Sequence, residues 1–305
     1  MSNRFFSYAV HRGFGFFAIL LLPGAIFLAS AAEPNPSTQV QVKIVEGGDS
    51  KVPPADCRAV LVGKGVNQPD AFPGYHGFVG WESPIRLKSG VWLVGFNAGY
   101  WHASAPTPLR YSPETIKSYR KMGMPDVDAP TGGRAMIIRS TDEGKTWSKP
   151  ETIIDTPADD RHPAFIEMDN GEILCSYFSY WGAMDNSDLG KDPTKAVRVH
   201  FVRSTDDGKT WSQKPQTLQT PFVYDETDGP FARLHDNSIL VPINGKLPDE
   251  SLDLAAVLRS TDHGQTWELL ATIKTDHALF EVTVAELPDH QLVLMARPEG
   301  IICWS

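Results

Sequence analysis

From about residue 75 onwards, short apolar runs alternate with polar turn residues, a strand pattern rather than a helical one. Four segments share one outline: IRLKSGVWLV (85–94), IEMDNGEILC (166–175), ARLHDNSILV (232–241) and AELPDHQLVL (285–294). Each has an apolar strand, a polar turn with Gly, Asn or His, and a second β-rich strand, which together read as a hairpin. The apolar runs AMIIR, VHFVR and AAVLR predict a third strand, and segments such as ETIID and ELLATI a fourth. Between the third and fourth strands stand three near-identical motifs, RSTDEGKTW (139–147), RSTDDGKTW (203–211) and RSTDHGQTW (259–267). Their serines Ser140, Ser204 and Ser260 lie 64 and 56 residues apart, a period that signals a repeat architecture. Four antiparallel strands per repeat predict the blade of an all-β propeller.

The motif has a mechanical reading. Gly144, Gly208 and Gly264 supply a turn residue with positive φ. Asp142, Asp206 and Asp262 can accept backbone N–H bonds across that turn. Trp147, Trp211 and Trp267 can pack an indole beneath it. Competing readings fit poorly. The G-K-T triplets lack the upstream glycine of a phosphate-binding loop, and the alternating acids and distal Glu of a calcium loop are missing.

Composition narrows the class. Hydrophobic residues make up 41% and charged residues 21% of the 305-residue chain, which excludes a disordered polymer. Its net charge of −9 argues against nucleic acid as a partner, since phosphate neutralisation needs a basic surface. Arg4 and Arg12 precede the apolar run Phe16–Ala29 and the small-x-small pattern Ala29-Ser30-Ala31, the order of a secretory signal peptide. An uncleaved anchor is the alternative, but the run falls short of the ~20 residues a bilayer needs and Pro23-Gly24 interrupts it. Residues 1–31 are therefore expected to be removed, leaving 32–305 as an exported, periplasmic or extracellular domain with no membrane span. Cys57, Cys175 and Cys303 form neither a disulfide framework nor a zinc pattern. Cys175 reads as a core residue, and a Cys57–Cys303 bridge stays open.

S-T-D-x-G-x-T-W after a β-strand, once per blade, resembles the Asp-box of the sialidase (neuraminidase) superfamily, over about residues 75–305. The resemblance implies a six-bladed β-propeller. Here Ile301–Ser305 aligns with a third strand, so about three and three-quarter blades are counted and a truncated ring is expected. A four-bladed ring closed by Gln39–Val45 is the alternative.

In a propeller the inner strands converge on one hollow. Their leading ends here are Gly80–Pro84, Asp160–Pro163, Asp225–Pro230 and Phe280–Val282, with ionisable residues at matched positions. Glu281 followed by Arg297 resembles the sialidase segment in which a Glu polarises a Tyr nucleophile and an Arg binds the substrate carboxylate. A bidentate guanidinium suits a carboxylate, and a Tyr nucleophile avoids repulsion by an acidic sugar. The long segment between Phe96 and Ala135 is of functional-loop length. It carries His102, Arg110, Asp126 and Asp128, of which Asp128 or Asp126 is the candidate acid. A loop helix at PETIKSYRKMG is the plainer reading of that segment. Arg161, His162, Glu82, Asp160 and Asp228, with Glu226 nearby, complete the expected substrate-binding set.

The likeness has departures. Where the family opens with R-I-P, this chain has Glu82-Ser83-Pro84. Arg161 or Arg134 is a candidate substitute for that arginine, but neither matches the motif. The third clamp arginine and the Tyr nucleophile fall beyond Ser305, so this chain alone is expected to be inactive. The resemblance implies a glycan substrate, with no metal or organic cofactor, and oligomeric state stays open. A non-catalytic glycan-binding propeller and a hydrolase using paired carboxylates such as Glu82 and Glu281 are the alternatives.

Overall fold

Sixteen strands in the described residues pair antiparallel into four sheets, in chain order. The computed structural model describes residues 60–63, 65–72, 75–100, 113–121, 132–180, 197–298 and 301–304. The expected leader at 1–31, Gln39–Val45, Cys57, His102, Arg110, Asp126 and Asp128 lie outside the described residues.

The first sheet holds β1 (Phe78–Arg86), β2 (Trp92–Gly99), β3 (Arg134–Ser140) and β4 (Glu151–Ile154). The second holds β5 (Asp159–Glu167), β6 (Ile173–Tyr180), β7 (Arg198–Ser204) and β8 (Gln216–Thr217). In the third, two short pieces, β9 (Tyr224–Glu226) and β10 (Ala232–Arg233), both pair with β11 (Ile239–Lys246), which leads to β12 (Leu254–Ser260) and β13 (Glu268–Ile273). The fourth holds β14 (Phe280–Glu286), β15 (Leu292–Arg297) and β16 (Ile301–Trp304). Helix α1 (Pro113–Lys121) falls in the long β2–β3 segment, where a loop helix was one reading.

Alternation along each strand explains how the sheets stack. Side chains of successive strand residues face opposite sides, and in the middle sheets both sides are buried. Ile173, Cys175 and Tyr177 of β6 join Leu93 and Ile137 in a cluster with the first sheet. Leu174, Phe178 and Tyr180 of the same strand join Ile239, Val241 and Ile243 of the third. Leu240 and Val257 of the third sheet pack with Val282 and Leu294 of the fourth. Cys175 is fully buried, as a core role requires. All four sheets fall in one compact unit.

The four hairpin turns are built alike. Leu87, Met168, Leu234 and Leu287 each accept a bond from the N–H three residues on and donate one to the carbonyl four residues on, at 2.7–3.1 Å. The residue that closes each turn is left-handed: Gly90 (φ 88°), Gly171 (83°), Asn237 (65°) and His290 (68°). The Asp-box turns are also uniform. Asp142 accepts the Thr146 N–H at 2.9 Å and its hydroxyl at 2.6 Å, while Ser140 Oγ accepts the Gly144 N–H at 2.9 Å. Asp206 and Asp262 repeat this pattern. These donors hold all three carboxyls down at about 2, against the desolvation that opposes them. The turn needs two left-handed residues: Glu143, Asp207 and His263, at 58–59°, precede the glycines.

The leading arginine of each motif does work that the turn does not explain. Arg139 donates to Gly208 O at 2.9 Å and Arg203 to Gly264 O at 2.8 Å. Each therefore holds the Asp-box of the following sheet. Arg259 instead bonds Ser238 Oγ at 3.0 Å and Asp236, within its own sheet.

Candidate functional site

The inner strands β1, β5 and β14 share one irregularity near their leading ends. Trp81-Glu82 stand opposite Phe96, His162-Pro163 opposite Tyr177, and Glu281-Val282 opposite Ala296. Two residues facing one is a β-bulge, which bends a strand and re-aims its side chains. The first residue of each bulge is left-handed: Trp81 at 53°, His162 at 54° and Glu281 at 49°. In the third sheet the inner strand breaks altogether between β9 and β10, and Thr227 anchors the gap by donating to Pro242 O at 2.7 Å. Gly229 in that gap has no room for a side chain, because a Cβ would lie 2.3 Å from Val282 O in the bulge of β14.

These four irregularities meet around a cavity of about 460 Å³ lined by Trp81, Glu82, Ser83, Pro84, His162, Pro163, Ala164, Asp228, Pro230 and Glu281. Of the residues expected from sequence, Glu82, His162, Asp228 and Glu281 are thus brought together. His162 Nδ1 bonds Asp228 Oδ1, and its ring lies 4.6 Å from Trp81 and edge-on to Phe178 at 5.2 Å. Glu281 Oε1 pairs with Arg297 Nη1 at 2.6 Å, with both side chains about half exposed (47% and 60%). Arg161 sits behind the wall, with its guanidinium 5.8 Å from the Trp81 ring and 4.4 Å from that of Tyr180, paired with Asp159.

Asp160 does not line the cavity. It is fully buried, where its carboxyl takes bonds from Thr156 N (2.6 Å), Thr156 Oγ1 (2.9 Å) and Ser179 Oγ (2.8 Å). Asp225 plays a matching part, binding Arg198 at 2.6 Å, the Val199 N–H at 2.9 Å and Thr220 Oγ1 at 2.6 Å. Charges at matched repeat positions therefore have two origins, loop closure and cavity lining. Burial outweighs the three donors and pushes the Asp160 carboxyl up to about 7. A carboxyl that binds its proton more tightly in the fold than in the unfolded chain, at about 3.9, stabilises most at low pH. That contribution is lost as pH rises through about 7. The stability advantage of wild type over Asp160→Asn, measured by urea unfolding, is expected to shrink between pH 5 and pH 8. An advantage that grows with pH would show instead that Asp160 is ionised in the fold.

Two contributors were not singled out from sequence. Trp81 occupies the bulge position equivalent to Glu281, whereas matching by charge selected its neighbour Glu82. Asn244, fully buried on β11, donates to Glu226 Oε1 at 2.9 Å and accepts the Glu281 N–H at 3.1 Å. It ties the broken inner strand of the third sheet to the bulge of the fourth. Burial, then Asp228, push the Glu226 carboxyl up, while Asn244 and Arg161 oppose the shift. Its only sequence signal is a polar residue within the apolar run ILVPING.

Stacked antiparallel sheets, Asp-box turns between the third and fourth strands of the first three and a hub fed by inner strands define an Asp-box β-propeller. The chain belongs to the BNR repeat-like domain family, whose model matches residues 136–303. Among solved structures it is similar to a protein of unknown function from Dyadobacter fermentans DSM 18053, with TM-score 0.55 and 22% identity, covering 77% of this chain and 66% of that one. It is also similar to the Hadza microbial sialidase Hz136 (TM-score 0.54, 18% identity, 72% of this chain and 42% of that one). A third similar structure is the Trypanosoma rangeli sialidase (TM-score 0.52, 15% identity, 74% of this chain and 36% of that one). These likenesses establish a sialidase-type propeller fold, of which this chain spans about two thirds or less of each relative's length. No curated protein matches the sequence. Among the described residues no helix is long and apolar enough to cross a membrane.

Proposed function

We propose that the hub cavity is the saccharide site of an exported glycoside hydrolase that removes a terminal sialic or related acidic sugar from glycoconjugates. The observation that carries this reading is that Glu281, which lines a cavity to which all four sheets contribute, is paired with Arg297. Arg297 is exposed enough to exchange its carboxylate partner, so a substrate carboxylate can take the place of Glu281 on the guanidinium. Glu281, released, is then a free base beside the sugar, suited to activating a phenol or a water. Trp81 offers an apolar face for the ring, and His162 with Asp228 offers polar contacts. The Trypanosoma rangeli sialidase has been solved in complex with 2,3-difluorosialic acid as a covalent intermediate, which supports the same substrate class here. Asp128 or Asp126 is the proposed acid.

A second reading is favoured by Glu82 at the cavity wall, where an acid faces the site instead of an arginine. Glu82 and Glu281 would then act as paired carboxylates on a neutral sugar. The two readings separate on binding by the full 305-residue chain, followed by NMR. Under the first, N-acetylneuraminic acid binds and methyl galactoside does not, and Arg297→Ala weakens binding by about tenfold, the loss of one charge-assisted hydrogen bond. Tighter binding of the neutral sugar, unchanged in Arg297→Ala, would replace it with the second. Release of a chromogenic aglycone, with Glu281→Gln as the inactive control, then reports whether the chain by itself completes the reaction.

A further inference from the structure

The far ends of the inner strands, where the hairpin turns lie, carry a second cluster that the saccharide site does not use. We propose that His235, Glu286 and His290 form a binding site for a divalent transition-metal ion of the zinc type, which clamps the third sheet to the fourth. One potential ligand atom from each residue lies within 4.8 Å of the others. The three come from separate elements: His235 from the β10–β11 turn, Glu286 from the end of β14, and His290 from the β14–β15 turn.

One of the three ligand separations is already that of a tetrahedral centre, and a second is a hydrogen bond that an ion would lengthen. Metal–nitrogen bonds of about 2.0–2.1 Å place neighbouring ligand atoms about 3.4 Å apart. His290 Nδ1 and Glu286 Oε1 are already 3.3 Å apart, and His235 Nδ1 sits on the same oxygen. The two imidazole centroids are 3.8 Å apart, below the roughly 4.5–7 Å usual for ring pairs. Two rings are thus drawn onto one carboxylate oxygen, where a cation of high charge density would satisfy all three ligands. The other carboxylate oxygen accepts the His235 N–H at 2.7 Å, the kind of outer contact that orients a metal ligand.

The position of His290 adds a second argument. In the other three turns the equivalent left-handed residue is Gly90, Gly171 or Asn237. A histidine there carries a conformational cost that glycine avoids. A ligand role for the side chain offsets that cost. Two imidazoles and one carboxylate select zinc, cobalt or nickel over calcium or magnesium, which prefer all-oxygen sites. Both histidine side chains are more than half exposed (54% and 57%), so an ion can enter and water can complete its shell. Glu286 lies five residues along β14 from Glu281, about 16 Å at strand rise, so the site is separate from the hub cavity and independent of its substrate.

The test uses the full chain after treatment with a chelator. Zn²⁺ titrated in competition with a chromophoric chelator is expected to bind with one-to-one stoichiometry and to raise the Tm. His235→Ala or His290→Ala should each weaken binding by about tenfold or more, and the double variant should lose both the stoichiometric binding and the Tm increase. His263→Asn, at a histidine elsewhere on the surface, should leave both unchanged. Co²⁺ added to wild type should give the intense visible bands of a four-coordinate centre, a readout that does not depend on any variant folding. Absence of stoichiometric binding, the same affinity in the double variant, or a cobalt spectrum no different from the aqueous ion would overturn the proposal.

Discussion

Asn244→Ala is expected to destabilise the protein by about 2–5 kcal/mol and to abolish saccharide binding at the hub. The side chain is fully buried, and both its polar ends are in use. Its Nδ2 donates to Glu226, and its Oδ1 accepts the N–H of Glu281. Truncation leaves a buried carboxyl without this donor and a bulge N–H without its acceptor. Each unmade bond costs about 1–3 kcal/mol, more where a charge is involved. The Glu281 bulge is left-handed at 49°, a conformation that persists only when its surroundings hold it. Loss of the tie should therefore displace Glu281 itself. The pH dependence gives the assignment a sharper edge. Asn244 holds the Glu226 carboxyl down against burial and Asp228, so removing it raises that pKa further. A group whose folded pKa lies above its unfolded value stabilises at low pH and loses that contribution as pH rises. Urea unfolding should accordingly show a larger penalty for Asn244→Ala at pH 8 than at pH 5. Equal penalties at both would mean that the Glu226 bond contributes nothing.

Much of this architecture is written in local chemistry. A turn that needs two left-handed residues and an aspartate to close it leaves the same mark each time it occurs, so the three Asp-boxes and the strands flanking them are legible in the chain. The Glu281–Arg297 pair is legible for a related reason, since one hairpin carries both residues. What stays hidden depends on contacts between sheets. Arg139 and Arg203 are part of the repeated motif, yet their partners lie in the next Asp-box, a whole repeat away. Asp160 and Asp228 look equivalent as acids at strand ends. Only the fold shows Asp160 enclosed by Thr156 and Ser179 while Asp228 meets His162 at the cavity. The bulge is equally invisible, because a two-for-one register changes which of two adjacent residues faces the hub. Hence Trp81, and not only Glu82, belongs with Glu281.

Trp211→Ala should be clearly more damaging than Trp147→Ala, at about 3–5 kcal/mol, because Trp211 serves two sheets at once. Only 8% exposed, it packs with Phe165, ring centroids 5.7 Å apart, in the cluster that joins the first and second sheets. Its own turn is gripped from the neighbouring sheet, since Arg139 bonds Gly208 O and a Cβ on Gly208 would lie 3.1 Å from Leu93. Emptying this volume removes apolar contacts from both sides of an interface that cannot close up without moving a sheet. Trp147 is different. Its indole N–H donates to Gly144 O at 3.0 Å, within its own turn, and its ring lies only partly buried at the margin of another cluster. Trp147→Ala should therefore cost clearly less than Trp211→Ala. Trp211→Phe should recover most of the loss, because the buried Trp211 indole N–H has no hydrogen-bond partner among the described residues and only ring volume has to be replaced. Chemical unfolding of the three variants decides the matter. Equal losses for Trp147→Ala and Trp211→Ala would mean that each indole supports only the turn above it, and that the sheets are held together by their strands alone.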